Sequence, residues 1–255
     1  MQLARDFAAE GKPIDILFWV GCAGAFDDRY RRVTKAFAGI LDKAGISFAV
    51  LGDEEACTGD PARRAGNEFL FQMMAAQNIQ TLNGYGIKKI VTACPHCFNT
   101  IRNEYPELGG TYEVLHHSQL LTQLLSEGTI KVSSEGPVQK IAYHDSCFLG
   151  RANGIYEAPR EVITALKQDL MELKRNRKNG LCCGAGGAQM FKEPEPGDKD
   201  INIERMEDVL EVNPSVVAVA CPFCMTMLSD GVKNKEMEGQ IAVKDISELV
   251  AERMV

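Results

Sequence analysis

Short apolar runs of strand length alternate along this chain with longer stretches in which apolar residues return at helical spacing. In the first half, Ile14 to Val20, apolar but for Asp15, predicts a strand, and Arg29 to Ala44 a helix. Ile46 to Leu51 predicts a second strand, Asn67 to Tyr85 a long helix, and Lys89 to Thr92 a short buried strand leading into Cys94. Tyr112 to Leu115 and Gln119 to Leu125 add one more strand and helix. The second half repeats the theme, with strands near Ile141, at Val216 to Ala220 and at Ile241 to Val243. Its helices are predicted at Pro159 to Lys167, Ile201 to Leu210, Phe223 to Val232 and Ile246 to Met254. Strands alternating with helices imply parallel sheets covered on both faces.

The cysteines turn this alternation into a repeat. Cys147 follows Cys22 by 125 residues, and Cys182 follows Cys57 by the same interval. Cys221 and Cys224 follow Cys94 and Cys97 by 127. Flanking residues recur as well: Ala93-Cys94-Pro95-His96-Cys97 matches Ala220-Cys221-Pro222-Phe223-Cys224, and Cys57-Thr58-Gly59 matches Cys182-Cys183-Gly184. The fold class expected is α/β, in two homologous halves related by an internal pseudo-twofold repeat. Each half is a small, mostly parallel sheet flanked by helices. The joint lies in the polar stretch Glu127 to Pro137, dividing residues 1–131 from residues 132–255. Cys22, Cys94, Cys147 and Cys221 each follow a predicted strand, and the carboxyl ends of strands are where such sheets bind ligands.

Composition narrows the chemistry. The chain is 45% hydrophobic and 25% charged, as in ordinary globular proteins. No apolar run is long enough to span a membrane. Met1 to Ala9 carries Arg5 and Asp6 without the apolar core of a secretory signal, so a cytoplasmic location is expected. The net charge of −7 argues against a nucleic-acid partner, and the basic run Lys174 to Lys178 reads as a solvated loop. Nine cysteines in a reducing compartment point to metal or redox chemistry rather than disulfides. Thiolates hold iron–sulfur clusters, and a Cys-x-x-Cys pair at a helix start supplies two sulfurs where free N–H groups favour negative charge. Pro95 and Pro222 suit an early helix position, and Gly184, Gly186 and Gly187 would let backbone N–H groups approach sulfur. Two rivals remain open. A long-range zinc site would need pairs over a hundred residues apart, against about 15–20 in zinc ribbons. Dithiol chemistry at Cys94-Pro95-His96-Cys97 would leave Cys22, Cys57 and the second half without a role.

The order Cys, Cys-Cys-Gly, Cys-x-x-Cys resembles the CCG cysteine-rich domain, which occurs in duplicate in heterodisulfide reductase and in related oxidoreductase subunits. The second half matches in full, through Cys147, Cys182, Cys183, Cys221 and Cys224, within His144-Asp145-Ser146-Cys147 and Cys182-Cys183-Gly184-Ala185-Gly186-Gly187. The first half departs at one place, Thr58, where the motif has its second adjacent cysteine. The stretch Cys57 to Arg64 looks like iron–sulfur subunits linked to electron-transfer flavoprotein and the quinone pool.

The resemblance implies an oxidoreductase subunit with a noncubane [4Fe–4S] cluster on the five second-half cysteines. Cys22, Cys57, Cys94 and Cys97 would hold a cubane [4Fe–4S] cluster, or the first site would be empty. Implied partners are ferredoxin-like, flavoprotein or membrane quinone-reactive subunits, with a quinone or a disulfide/thiol acceptor and a location peripheral to the membrane. A transfer module without a substrate of its own is the competing reading. The short polar helix before the first strand suits a module that, in relatives, is fused behind a ferredoxin-like domain.

Other polar residues near the motifs are candidates for supporting roles. His144 and Asp145 precede Cys147 and could gate protons or hydrogen-bond sulfur. His116 and His117 follow a predicted strand and could line the first site, with Ser118 a capping residue. His96 lies between two cysteines and reads as a supporting residue rather than a ligand. Arg63, Arg64 and Arg151 could neutralise an anionic group or dock an acidic partner.

Overall fold

A computed structural model describes residues 1–193 and 196–255. Two compact units divide the chain, Met1–Leu120 and Leu121–Val255.

The first unit opens with β1 (Gln2–Leu3) and α1 (Ala4–Ala9), followed by β2 (Ile16–Trp19), α2 (Gly21–Phe26), α3 (Tyr30–Lys43) and β3 (Phe48–Val50). Next come α4 (Asp60–Arg64), α5 (Glu68–Gly84), β4 (Lys89–Thr92), α6 (Pro95–Asn99) and β5 (Glu113–His116). The following helix, α7 (His117–Ser126), spans the residue at which the units divide. β2 is shorter than the predicted run because Asp15 is exposed, whereas all four residues after it are buried. The sheet order is β1-β3-β2-β4-β5, and every neighbouring pair is parallel. Phe18 packs edge-on to Phe37 at a ring separation of 5.1 Å, joining the sheet to α3. Full burial of an aromatic of this size contributes about 1.5–3 kcal/mol.

The second unit contains β6 (Lys140–Tyr143), α8 (Glu157–Ala165), β7 (Asp169–Met171), α9 (Ile201–Glu211), β8 (Val216–Val219), α10 (Pro222–Asn234), β9 (Ala242–Asp245) and α11 (Ile246–Arg253). Its sheet runs β7-β6-β8-β9, again with all pairs parallel. This is the order β3-β2-β4-β5 of the first unit, strand for strand. The α/β class and the two homologous halves are thus present as expected. Sequence periodicity did not predict β7, a three-residue edge strand that begins at the exposed Asp169. β1, with two residues, was also missed.

In both sheets the chain leaves the first central strand to one side and returns to the other. The pairing of Trp19 with Thr92 and of Tyr143 with Ala218 brings the carboxyl ends of β2 and β4, and of β6 and β8, side by side. Loops diverging from such a reversal leave a crevice between them.

Candidate metal centre

Each crevice collects the cysteines of its own unit. Cys22 follows β2 in the turn that starts α2, Cys57 lies in the loop after β3, and Cys94 and Cys97 bracket the start of α6. Cys94 is the extended residue before the helix and Pro95 occupies its first turn; Cys221 and Pro222 do the same for α10. Proline fits there because its missing N–H has no partner to lose. Both Cys-x-x-Cys pairs therefore sit at helix starts, as expected.

In the first unit the Cys22 and Cys57 thiols lie close enough to shift each other's ionisation, and Cys94 shifts that of Cys97. Burial and the neighbouring thiols push Cys22 and Cys97 upward, while the thiol of Cys22 helps to bring Cys57 down to about 6. Gly21 has φ of +76°, and a Cβ built on it would stand 3.4 Å from Cys97 Sγ. Glycine thus permits both the left-handed turn and the close approach. Glu55 ties two loops together, accepting from Gly21 N at 2.6 Å and from Val20 N at 3.0 Å. Burial raises this carboxyl to about 7 despite those two donors. Asn78 of α5 holds the other loop, donating to the Cys57 carbonyl at 2.9 Å. Thr58 is buried, and its hydroxyl points to Cys97 Sγ at 3.9 Å. A cavity of about 300 Å³ reaches Cys22 and Cys57 between Phe26, Thr34 and Glu55.

In the second unit the thiols lie close enough to shift one another's ionisation, Cys147 with Cys182, Cys182 with Cys183, Cys183 with Cys224 and Cys221 with Cys224. The five are thus linked as one group. Cys183, Cys221 and Cys224 are buried, with Cys147 and Cys182 partly exposed at the rim. Hydrogen bonds from Cys147, Cys183 and Gly184 N, the last at 3.3 Å, hold Cys182 far below the usual thiol range. The Cys182 thiolate and burial drive Cys147 and Cys183 the other way. Gly184 turns the chain with φ of +95°, a conformation that L side chains rarely adopt.

Supporting groups divide between the crevices and the loops around them. His144 is buried, and its Nδ1 accepts from Arg205 Nε at 3.0 Å. Burial and the Arg205 charge depress its pKa to about 3, leaving it neutral. A ring nitrogen of His144 lies within 4.8 Å of the sulfurs of Cys183 and Cys224. Asp145 turns away, binding both Nη atoms of Arg160 at 2.8 Å and Arg177 N at 2.8 Å. His96 pairs with Asp60 at 2.9 Å, and His116 with the hydroxyl of Ser118 at 2.8 Å. Arg63 engages Glu104 and Glu68, and Arg64 engages Asp60 and Glu104. Carboxylates of their own unit thus neutralise these arginines. Arg151 donates to the Gly180 carbonyl at 2.9 Å, linking the loops after β6 and β7. In the basic run, Arg175 binds Glu204 and Asp208, and Arg177 binds Glu157 and Glu172.

Glu55, Asn78, Arg160 and Arg205 were not among the residues expected from the sequence. Arg205 leaves a signal: on α9 it shares the buried face of Asn202, Met206 and Val209, where a lone cation needs partners.

The donor set suits an anionic, sulfur-rich group. Soft thiolates select such a group. Among the described residues, His144 Nε2, Ser146 Oγ and Arg205 Nη2 are buried polar atoms without a partner. Buried donors of this kind are ordinarily satisfied, and an anionic group beside Cys183 and Cys224 would supply a partner within reach of His144.

Comparison with known families decides the relationship. The profile of the CCG cysteine-rich domain matches twice, over residues 16–102 and 141–229. The chain belongs to the CCG cysteine-rich domain family. Among curated proteins, this CCG chain is 46% identical over 259 residues to the EtfAB:quinone oxidoreductase of Syntrophomonas wolfei, covering 99% of this chain and 36% of that protein. It is 45% identical to the probable iron-sulfur-binding oxidoreductase FadF of Bacillus subtilis, over 98% of this chain and 36% of that protein. Identity to one of the subunits of the dihydromethanophenazine:CoB–CoM heterodisulfide reductase of Methanosarcina barkeri is 36%, over 94% of this chain and 59% of that protein. The CCG chain spans about a third of the length of the first two relatives. None of its described helices is long and apolar enough to cross a membrane.

Proposed function

We propose that this CCG chain is an iron–sulfur redox subunit of an oxidoreductase. Cys147, Cys182, Cys183, Cys221 and Cys224 hold a noncubane [4Fe–4S] cluster, and Cys22, Cys57, Cys94 and Cys97 hold a cubane one. The observation that carries this reading is the linked group of five thiols in one crevice, three of them buried. Such a cluster, when bound, accepts and releases single electrons. The chain's own residues exclude water from Cys183, Cys221 and Cys224 and leave Cys147 and Cys182 as the edge nearest solvent. They also place a ring nitrogen of the buried His144 within 4.8 Å of the Cys183 and Cys224 sulfurs. The first unit offers four thiols, with Thr58 where the fifth would be, which suits the simpler cluster.

The names of its relatives support a place before a quinone or a disulfide acceptor, with a flavoprotein as donor in the first case. A ferredoxin-like donor and a position at the inner face of the membrane through partner subunits belong to the same proposal. Iron and acid-labile sulfide analysis of anaerobically purified protein, with EPR of wild type and Cys183→Ser, tests the assignment. Loss or change of one signal in the variant is expected. A spectrum that Cys183→Ser leaves unchanged would remove Cys183 from the ligand set. Zinc without sulfide would refute the cluster altogether.

The second reading is a transfer module with no substrate of its own. It is favoured by the cavity of about 470 Å³ beside Gly184, whose lining includes Met190, Asn202 and Met227 but none of the five cysteines. Steady-state reduction of a soluble disulfide or quinone by the isolated, chemically reduced subunit separates the two readings.

A further inference from the structure

The ring nitrogens of His144 are not equivalent. Nδ1 lies 3.0 Å from Arg205 Nε, and a guanidinium N–H can only donate. Nδ1 therefore carries a lone pair, and in the neutral ring the proton must be on Nε2. That Nε2–H is buried and has no partner among the described residues. A ring nitrogen of His144 is within 4.8 Å of Cys183 Sγ and Cys224 Sγ, a constellation that on distance alone would also suit a metal ligand. Ligation through Nε2 would require the imidazolate, since both lone pairs would be in use. The tautomer argues for a hydrogen-bond donor instead.

Arg205 is itself held for this task. Its Nη1 donates to the Arg175 carbonyl at 2.8 Å and to Asp208 Oδ2 at 2.9 Å, so the guanidinium plane is fixed from behind. Its side chain is fully buried. The other unit carries a buried N–H at the matching position in the sequence. Trp19 stands three residues before Cys22, as His144 stands three residues before Cys147. Its indole Nε1–H is likewise buried and unpartnered among the described residues. An indole N–H is a donor in every protonation state, whereas a histidine needs a second residue to make it one.

Resting on the cluster reading above, we infer that His144 is a fixed hydrogen-bond donor to sulfur in the second crevice, and that Arg205 is the positioning residue that locks its tautomer. The pair stabilises added negative charge on the sulfur-bound group and so raises its reduction potential. Donors to sulfur act in this sense because the reduced state carries the greater negative charge.

The test uses anaerobically purified full chain, following the EPR signal that Cys183→Ser alters. In wild type labelled with ¹⁵N-histidine, ENDOR should show one weak nitrogen coupling and an exchangeable proton coupling beyond that of the Gly184 N–H at Cys182. Both should be absent from His144→Leu, with the Gly184 contribution retained. A strong coupling, as from a direct iron–nitrogen bond, overturns the proposal, and so does the absence of any histidine coupling. In redox titrations, His144→Leu and Arg205→Met should each disfavour reduction about tenfold, which is about 59 mV for one electron. Arg205→Lys, which can still donate to Nδ1, should recover most of the wild-type potential. An unshifted His144→Leu potential, or equal shifts from the Lys and Met variants, overturns the proposal. Protein without iron and sulfide would instead overturn the cluster reading itself.

Discussion

Replacing Asp145 with alanine tests whether the loop carrying Cys147 is anchored electrostatically. Three charge-assisted hydrogen bonds disappear: two from Arg160 and one from the Arg177 N–H, each 2.8 Å long. Both carboxylate and guanidinium are almost fully buried, at 4% side-chain exposure each. Breaking such a pair from one side ordinarily costs about 3–5 kcal/mol, because the surviving charge is stranded. Here Arg160 keeps Glu172, through contacts of 2.7 and 3.0 Å, so the cost should fall at the low end, about 3 kcal/mol. That corresponds to roughly a hundredfold loss of protection. Amide hydrogen exchange in β6 and α8 reads it directly. In an Arg160→Met background the same substitution should cost less than about 1 kcal/mol, since the partner is already gone. Equal losses in the two backgrounds would refute the ion-pair argument.

The pair also fixes a pH dependence. Burial pushes the Asp145 carboxyl up, but Arg160 and the Arg177 N–H outweigh it and hold the pKa below the usual carboxylate value. A depressed pKa adds stability that is fully present above the unfolded-state value, about 3.9, and is lost as pH falls through the folded one. Wild-type protection should therefore fall more steeply below about pH 5 than that of Asp145→Ala.

Other substitutions probe the two crevices and their supports. Thr58→Cys supplies the missing fifth thiol at a buried position beside Cys97, and the first-unit EPR signal should move toward that of the second unit. An unchanged spectrum in iron-loaded protein would mean that a fifth thiol is insufficient. Gly231→Ala places a Cβ 2.5 Å from Met206 Cγ and 3.3 Å from the Asn202 carbonyl. Overpacking the contact between α10 and α9 should cost about 1–3 kcal/mol by urea denaturation. A variant as stable as wild type would show that Met206 can move aside. Asn78→Ala removes the donor to the Cys57 carbonyl and to Tyr105 Oη, and iron content of the first unit should fall while the Cys183-dependent signal stays.

The central strands were the plainest to read in the sequence, and the edge strands β5 and β9 left shorter apolar stretches. β8 reads as an unbroken apolar run because all four residues are covered. β7 is an edge strand with no residue fully buried, and its two apolar residues, Leu170 and Met171, make too short a run to read as a strand. The grouping of the cysteines was legible because the repeat recurs in spacing and flanking residues alike. The supports were not. Asp60 and His96 are 36 residues apart, and Arg205 and His144 are 61 apart. Only the fold brings such pairs together. Arg63 and Arg64 look available in the sequence, yet Glu104, 40 residues or more downstream, binds both.

The dispersion of the five second-unit thiols along the chain constrains biogenesis. Cys147 and Cys224 are delivered by segments after different strands, so no short segment carries the whole of the proposed ligand set when it leaves the ribosome. Non-local contacts of this kind form only after the intervening chain has closed, so the five thiols come together no earlier than the sheet that carries them. Until iron arrives, Cys183 and Cys224 face each other as free thiols, and an oxidant could join them. Yield of loaded protein should thus depend on the reducing power available during folding as much as on the iron supply.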